Sequence, residues 1–275
     1  MLAMKLRTNQ EHTKMQLGSR VRVIGIASGK GGVGKTTIAV NLATALAESG
    51  KTVMLLDGDL GLANAQLAFG CQVKYNFSHV LAGVKTLEEI IITTSSGVQL
   101  VPGASGLQEL ASLTSLQAGI MLQGFESLAA KLDYLIIDIA AGISDSVITF
   151  LQACDYRFII CKDDPSSYAD AYATVKVLNK NAASDNLYLL TNEVSDEAHA
   201  LRLHSSFNNV TNRFLEFSIG MIGHVVKDES VPLAWKKAQP VVQLYPSSAA
   251  ASNFRQLAKN VDALIKPTVN LTAHT

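Results

Sequence analysis

From Val21 onward, short aliphatic runs rich in β-branched residues alternate with longer stretches whose apolar positions recur at helical spacing. Val21–Ala27, Val53–Leu56, Val98–Val101, Tyr134–Ile137, Phe158–Ile160, Leu187–Leu190 and Met221–Val226 read as strands. Strands separated by helices of ten or more residues predict βαβ units. The fold class is therefore α/β, a mainly parallel sheet with right-handed crossovers and helices on both faces. Near the end, Phe254, Leu257, Ala258, Val261, Leu264 and Ile265 line one side of a helix over Ser252–Ile265, with polar residues on the other. That pattern predicts a surface helix packed on the sheet. Leu203, Phe207, Val210 and Phe214 form a similar stripe and are expected in the core.

No internal repeat, Pro/Gly linker or composition break divides the chain. Residues 1–20 are polar and aperiodic and read as a flexible lead, residues 21–266 as a single domain, and residues 267–275, after Pro267, as a short polar tail. Composition agrees with a large aliphatic core: of 275 residues, 48% are hydrophobic and only 6% aromatic. Charged residues are 17%, with 23 basic against 23 acidic, a balance that gives no reason to expect direct nucleic-acid binding. Cys71, Cys154 and Cys161 provide neither a disulfide framework nor a CxxC metal site. With no apolar run long enough to span a membrane and no signal-peptide pattern, a cytoplasmic location is expected.

The chemistry concentrates after the first strand. Gly29-Lys30-Gly31-Gly32-Val33-Gly34-Lys35-Thr36 matches G-x-x-x-x-G-K-[ST], between a strand and a helix over Thr37–Ala47. Glycines let successive backbone N–H groups turn inward toward phosphate oxygens, and the helix N-terminus adds its partial positive charge. Lys35 is expected at the β- and γ-phosphates of ATP and Thr36 at Mg²⁺. Leu55-Leu56-Asp57-Gly58-Asp59 and Asp138-Ile139-Ala140-Ala141-Gly142 place carboxylates at strand ends, where open α/β sheets bind ligands. Phosphoryl transfer needs a metal and a group that orients the attacking water. Asp138 suits the first through an outer-sphere contact and Asp59 the second; Asp57 is either metal support or a turn residue.

Lys30, directly after the first glycine, sharpens the reading. KGGVGKTT (Lys30–Thr37) resembles the deviant Walker A motif of the MinD/ParA family, which implies a P-loop NTPase fold of the SIMIBI type. Leu56–Asn64, Pro102–Ser105, Asp138–Ser144, Asp164–Leu178 and Asp228–Val231 are similar to blocks of its FlhG/FleN branch, regulators of flagellar number. The resemblance implies an ATP-dependent homodimer that hydrolyses ATP slowly, in which Lys30 crosses to the partner's phosphates. It places Thr37 with the phosphate loop, Asn192 at the adenine edge and Val225–Asp228 near the base. The partners it implies are a FleQ-type transcriptional activator and, as a further candidate, the GTPase FlhF.

Several positions depart from the branch. Ile139 stands where a small residue or Thr is usual, Val226 replaces a common Pro, and Lys162-Asp163-Asp164 is more charged than in relatives. Asn9-Gln10-Glu11 only hints at an N-terminal FlhF-stimulating element. No amphipathic targeting segment follows the last helix, which puts membrane attachment in doubt. A MinD-type division-site ATPase, a ParA-type DNA segregation ATPase, an Mrp-type metal-cluster carrier and a non-catalytic ATP-binding adaptor remain rivals. His199 and His204 read as surface or boundary residues, and Trp235 and Tyr245 as packing residues.

Overall fold

The computed structural model describes residues 21–59, 64–103, 131–181 and 184–264, together with Phe125 and Leu128. The N-terminal lead, Leu60–Ala63, Ala104, Ser105 and the tail from Ile265 lie outside these residues.

Among the described residues, eight strands form one sheet: β1 (Arg22–Ala27), β2 (Val53–Gly58), β3 (Ile92–Thr93), β4 (Gln99–Val101), β5 (Tyr134–Ile139), β6 (Tyr156–Cys161), β7 (Leu187–Val194) and β8 (Gly220–Val226). Their order is β3-β4-β2-β5-β1-β6-β7-β8, and every pair is parallel except β3–β4. All seven expected strands are present. The two-residue β3 is additional and closes one edge of the sheet. From central β1 the chain winds first toward β2 and later toward β6, so a crevice opens above the carboxyl end of β1.

Side-chain alternation along the strands splits the core in two. On one face, Ile24, Ile26, Leu55 and Ile136 pack under α1 (Lys35–Glu48), α9 (Val241–Leu244) and α10 (Ala249–Asp262). On the other, Val23, Met54, Leu135 and Ile137 pack under α5 (Asp145–Ala153), α6 (Pro165–Lys180) and α7 (Glu197–Leu215). Shorter helices, α2 (Ala65–Ala68), α3 (Phe77–Leu81), α4 (Leu87–Ile90) and α8 (Ser230–Lys236), fill connections.

Two expectations about the helices are corrected. The last helix starts earlier, because Ser248 accepts the N–H of Ala251 and caps it; its C-cap is Ala263. In α7, Leu203 and Phe207 are buried, but Val210 is half-buried and Phe214 is 63% exposed. The final turn of α7 carries Phe214 into solvent, where the Arg213 guanidinium lies 5.3 Å from its ring.

The amino ends of the strands are tied together. Arg22 donates through Nη1 to the Tyr134 hydroxyl at 2.8 Å and to the carbonyl of Asp262 at 2.9 Å. Tyr134 in turn donates to Asp262 Oδ1 at 2.7 Å, and Lys51 pairs with the same oxygen at 2.9 Å. Asp133 and Asp155 accept the N–H groups of Thr52 and Val23.

Candidate functional site

At the opposite rim, the turn after β1 leads into α1. Gly34 sits at φ +98°, a left-handed conformation, and a Cβ there would collide with the Asn192 side chain. A Cβ on Gly29 would strike the Asp170 carbonyl, so helix α6 approaches the start of the loop at glycine-only distance. Ser28 Oγ donates to the Lys30 carbonyl at 2.6 Å, and the N–H of Gly142 donates to the Ser28 carbonyl at 2.9 Å. These bonds tie the β1 turn to the β5 turn. Among the described residues no side chain caps the N-terminus of α1, whereas Asp164, Asp196 and Ser248 cap α6, α7 and α10. The first-turn N–H groups of α1 are thus left for a ligand.

Asp57 and Asp138 face each other in register on β2 and β5. Alternation turns both toward the α1 side and sends Ile139 into the opposite core, where it packs against Gly25. The departure at Ile139 is therefore a packing change in the core beneath the site.

The two buried carboxylates are used differently. Asp57 accepts the N–H of Ala65 at 2.9 Å and that of Asp59 at 3.3 Å, so both oxygens hold the following loop. Asp138 Oδ2 accepts from the Thr36 hydroxyl at 2.6 Å. Asp138 Oδ1 is buried and has no hydrogen-bond partner among the described residues. Burial, then the neighbouring Asp138, raises the Asp57 carboxyl well above its ordinary range. Burial also raises Asp138, against the opposing Thr36 hydrogen bond and Lys35 charge. Lys35 is itself buried, which lowers its ammonium, while Asp138 and Asp59 act in the other direction.

This donor set fits a divalent cation. Thr36 gives its hydrogen to Asp138, leaving its oxygen lone pairs free, and the orphaned Asp138 Oδ1 can accept from a metal-bound water. Mg²⁺ favours such oxygen ligands and retains waters.

A cavity of about 780 Å³ runs from Gly31, Gly32, Gly34, Lys35, Thr36 and Thr37, past Asp59 and Asn192, to Val225–Glu229. It thus gathers most of the residues expected at the site. Val33 is buried beneath the loop. Its carbonyl accepts from Asn192 Nδ2 at 2.8 Å, which locks the side chain expected at the adenine edge against the phosphate loop. Lys30 is exposed, and its Nζ donates to Ser166 Oγ at 2.7 Å; Ser166 in turn donates to Asp164 Oδ1.

The cavity also includes Asn64, Glu193 and Trp235, which sequence reasoning did not assign to it. Glu193 reaches the wall through a bulge between β7 and β8, with its backbone at φ +57°. No hydrophobic pattern signals that conformation. His199 bonds Asp163 through Nε2 at 2.8 Å and accepts the N–H of Ser195 through Nδ1, while His204 contacts the Ile219 carbonyl. Both are structural. No described helix is long and apolar enough to cross a membrane.

Residues 21–188 match the AAA domain family. The chain is 38% identical over 250 residues to the antiactivator FleN of Pseudomonas aeruginosa, covering 90% of this chain and 89% of that protein. It is 32% identical to the flagellum site-determining protein YlxH of Helicobacter pylori, covering 86% and 80% respectively. Among solved structures, the septum site-determining protein MinD of Pyrococcus horikoshii, complexed with Mg-ADP, superimposes with a TM-score of 0.75 at 28% identity, covering 88% of this chain and 96% of that one. A mainly parallel sheet with its phosphate loop at the switch point, a second lysine after the first glycine, and these likenesses together make the chain an FlhG/FleN-like member of the MinD/ParA family of P-loop ATPases.

Proposed function

We propose that this chain is a cytoplasmic, ATP-dependent dimerising switch that limits flagellar number by antagonising a FleQ-type transcriptional activator. The observation that carries the reading is the 38% identity to an antiactivator across nine tenths of both chains. The likeness to a flagellum site-determining protein supports it. Residues 21–266 serve as one ATPase domain.

The site's geometry supports weak Mg²⁺-dependent hydrolysis. The open N-terminus of α1 and the buried Lys35 hold the phosphates, and Thr36 and Asp138 hold Mg²⁺, which would neutralise charge developing on them. Asp59, half-buried at the cavity wall, orients the attacking water. Asp57 holds the loop that carries Asp59 and so supports the metal side indirectly. Asn192 borders the base. Lys30, exposed and held by Ser166 of its own chain, is free to exchange that bond for a partner subunit's phosphates. FlhF is a further candidate partner. The balanced charge gives no support to DNA binding, and membrane attachment forms no part of this reading.

Deleting the gene and counting flagella per cell by electron microscopy tests the proposal. Extra flagella are expected. A normal count overturns the number-control reading, and minicells in the same images favour division-site placement, the reading that likeness to MinD suggests.

A further inference from the structure

Trp235 is the chain's only tryptophan. It lies in α8, half-buried, and forms part of the same cavity wall as Thr37. Its indole Nε1 donates to Thr37 Oγ1 at 2.7 Å, joining segments 198 residues apart. The consequence follows from the hydrogen-bonding capacity of the two groups. An indole N–H only donates, whereas a hydroxyl has one hydrogen and two lone pairs. Trp235 therefore occupies a lone pair of Thr37 and leaves the Thr37 hydrogen to be given elsewhere.

A threonine inside a helix usually gives that hydrogen to the carbonyl one turn back. Thr44 does so to Val40, Thr149 to Asp145 and Thr174 to Asp170, each at 2.8–2.9 Å. Thr37 does not. The carbonyl one turn back belongs to Val33, and it accepts from Asn192 instead. Among the described residues the Thr37 hydrogen has no acceptor, and the hydroxyl faces a cavity lined by the phosphate loop. An anionic oxygen is the chemical complement of such a donor.

We propose that Trp235 is a positioning residue of the nucleotide site: its indole N–H holds the Thr37 hydroxyl as a donor toward a phosphate that ATP and ADP share. This rests on the reading of the cavity as an ATP site. Asp59 and Asp138, the carboxylates suited to water and metal, gather at Lys35 and Thr36. Thr37 lies beyond them toward Val231 and Trp235, on the nucleoside side. The phosphate it meets is thus one that hydrolysis leaves in place.

Isothermal titration of the purified full chain with Mg-ADP and with Mg-ATP, together with steady-state hydrolysis, tests the assignment. Trp235→Phe keeps a ring and removes the donor. It should weaken both nucleotides equally, by about tenfold, and raise KM while kcat changes less than twofold. Thr37→Val should do the same and Thr37→Ser should bind like wild type. The double variant Trp235→Phe/Thr37→Val should be no weaker than the poorer single one, because both remove the same contact. Mg-ADP should also change the wild-type tryptophan emission, saturating at the titrated affinity. Unchanged affinity in Trp235→Phe, additive losses in the double variant, or silent tryptophan emission would each overturn the proposal. Should Trp235→Phe fold poorly, the Thr37→Val and Thr37→Ser pair still decides: equal affinities overturn it. Wild-type protein that binds neither nucleotide overturns the ATP-site reading itself, which these outcomes keep distinct.

Discussion

The two rims of the sheet are built from similar residues to opposite ends. At the amino rim Arg22, Lys51, Tyr134 and Asp262 satisfy one another, and the Tyr134 and Lys51 contacts hold the Asp262 carboxyl below its ordinary range. At the carboxyl rim two buried carboxylates face each other across adjacent strands. One oxygen has no partner among the described residues, and Lys30 stands exposed. Strand β5 carries both arrangements, with Tyr134 at one end and Asp138 at the other. The difference teaches where stability has been given up: unmet charge and open donors collect where a ligand can meet them, and the far rim holds the sheet together.

The largest effect that should separate the rims comes from Lys30. Its hydrogen bond to Ser166 is exposed and contributes little to folding. A cation supplied across a subunit interface accelerates phosphoryl transfer by about 10³ or more. Lys30→Ala should therefore retain Mg-ATP binding and its melting temperature while turnover falls by about that factor. Phosphate release under single-turnover conditions measures it, and near-normal turnover would remove Lys30 from the mechanism.

A smaller effect, with a size that depends on pH, is expected at Asp138. Its folded-state carboxyl is raised by burial, so the folded chain binds this proton more tightly than the unfolded one. Its contribution to stability is complete below about pH 4 and is lost as pH rises through the elevated folded value. Asp138→Asn removes that loss. Without metal and nucleotide, the variant should be more stable than wild type by on the order of 2 kcal/mol at pH 7, and equal to it near pH 4. Urea unfolding at the two pH values measures the difference. The same variant should lose the stabilisation that Mg-ATP gives wild type.

How much of this was legible in the sequence follows from how far each feature depends on local pattern. Val53–Leu56 and Tyr134–Ile137 announced their strands by short, largely aliphatic runs, and the phosphate loop announced itself by its glycines. Strand β3 has two residues, too few for any period, and owes its existence to pairing with β4. Glu193 and Trp235 join the cavity through a bulge and a contact between distant segments, neither of which leaves a mark in hydrophobic order. Phe214 obeyed the helical spacing of a core residue, but a helix can outrun the sheet it covers. Ile139 stood out by family resemblance as a departure directly after Asp138, whereas strand alternation turns it away from Asp138 and into the opposite core.

The smallest expected effect belongs to the amino rim and tests whether β5 transmits anything between its ends. Tyr134→Phe removes a hydroxyl that donates to Asp262 and accepts from Arg22. Neither charge is stranded by the change. Asp262 keeps Lys51 at 2.9 Å, and Arg22 keeps the Asp262 carbonyl at 2.9 Å and that of Val261 at 3.3 Å. The loss should therefore be that of ordinary hydrogen bonds, about 1 kcal/mol, well short of the penalty for an isolated buried charge. For a domain of this size that lowers the melting temperature by about 2–4 °C. Titration with Mg-ATP should find the affinity unchanged, because Asp138 and its Thr36 bond lie at the far end of the strand. A shifted affinity with the modest thermal loss would mean that the rims are coupled through β5, and the division of labour between them would have to be abandoned.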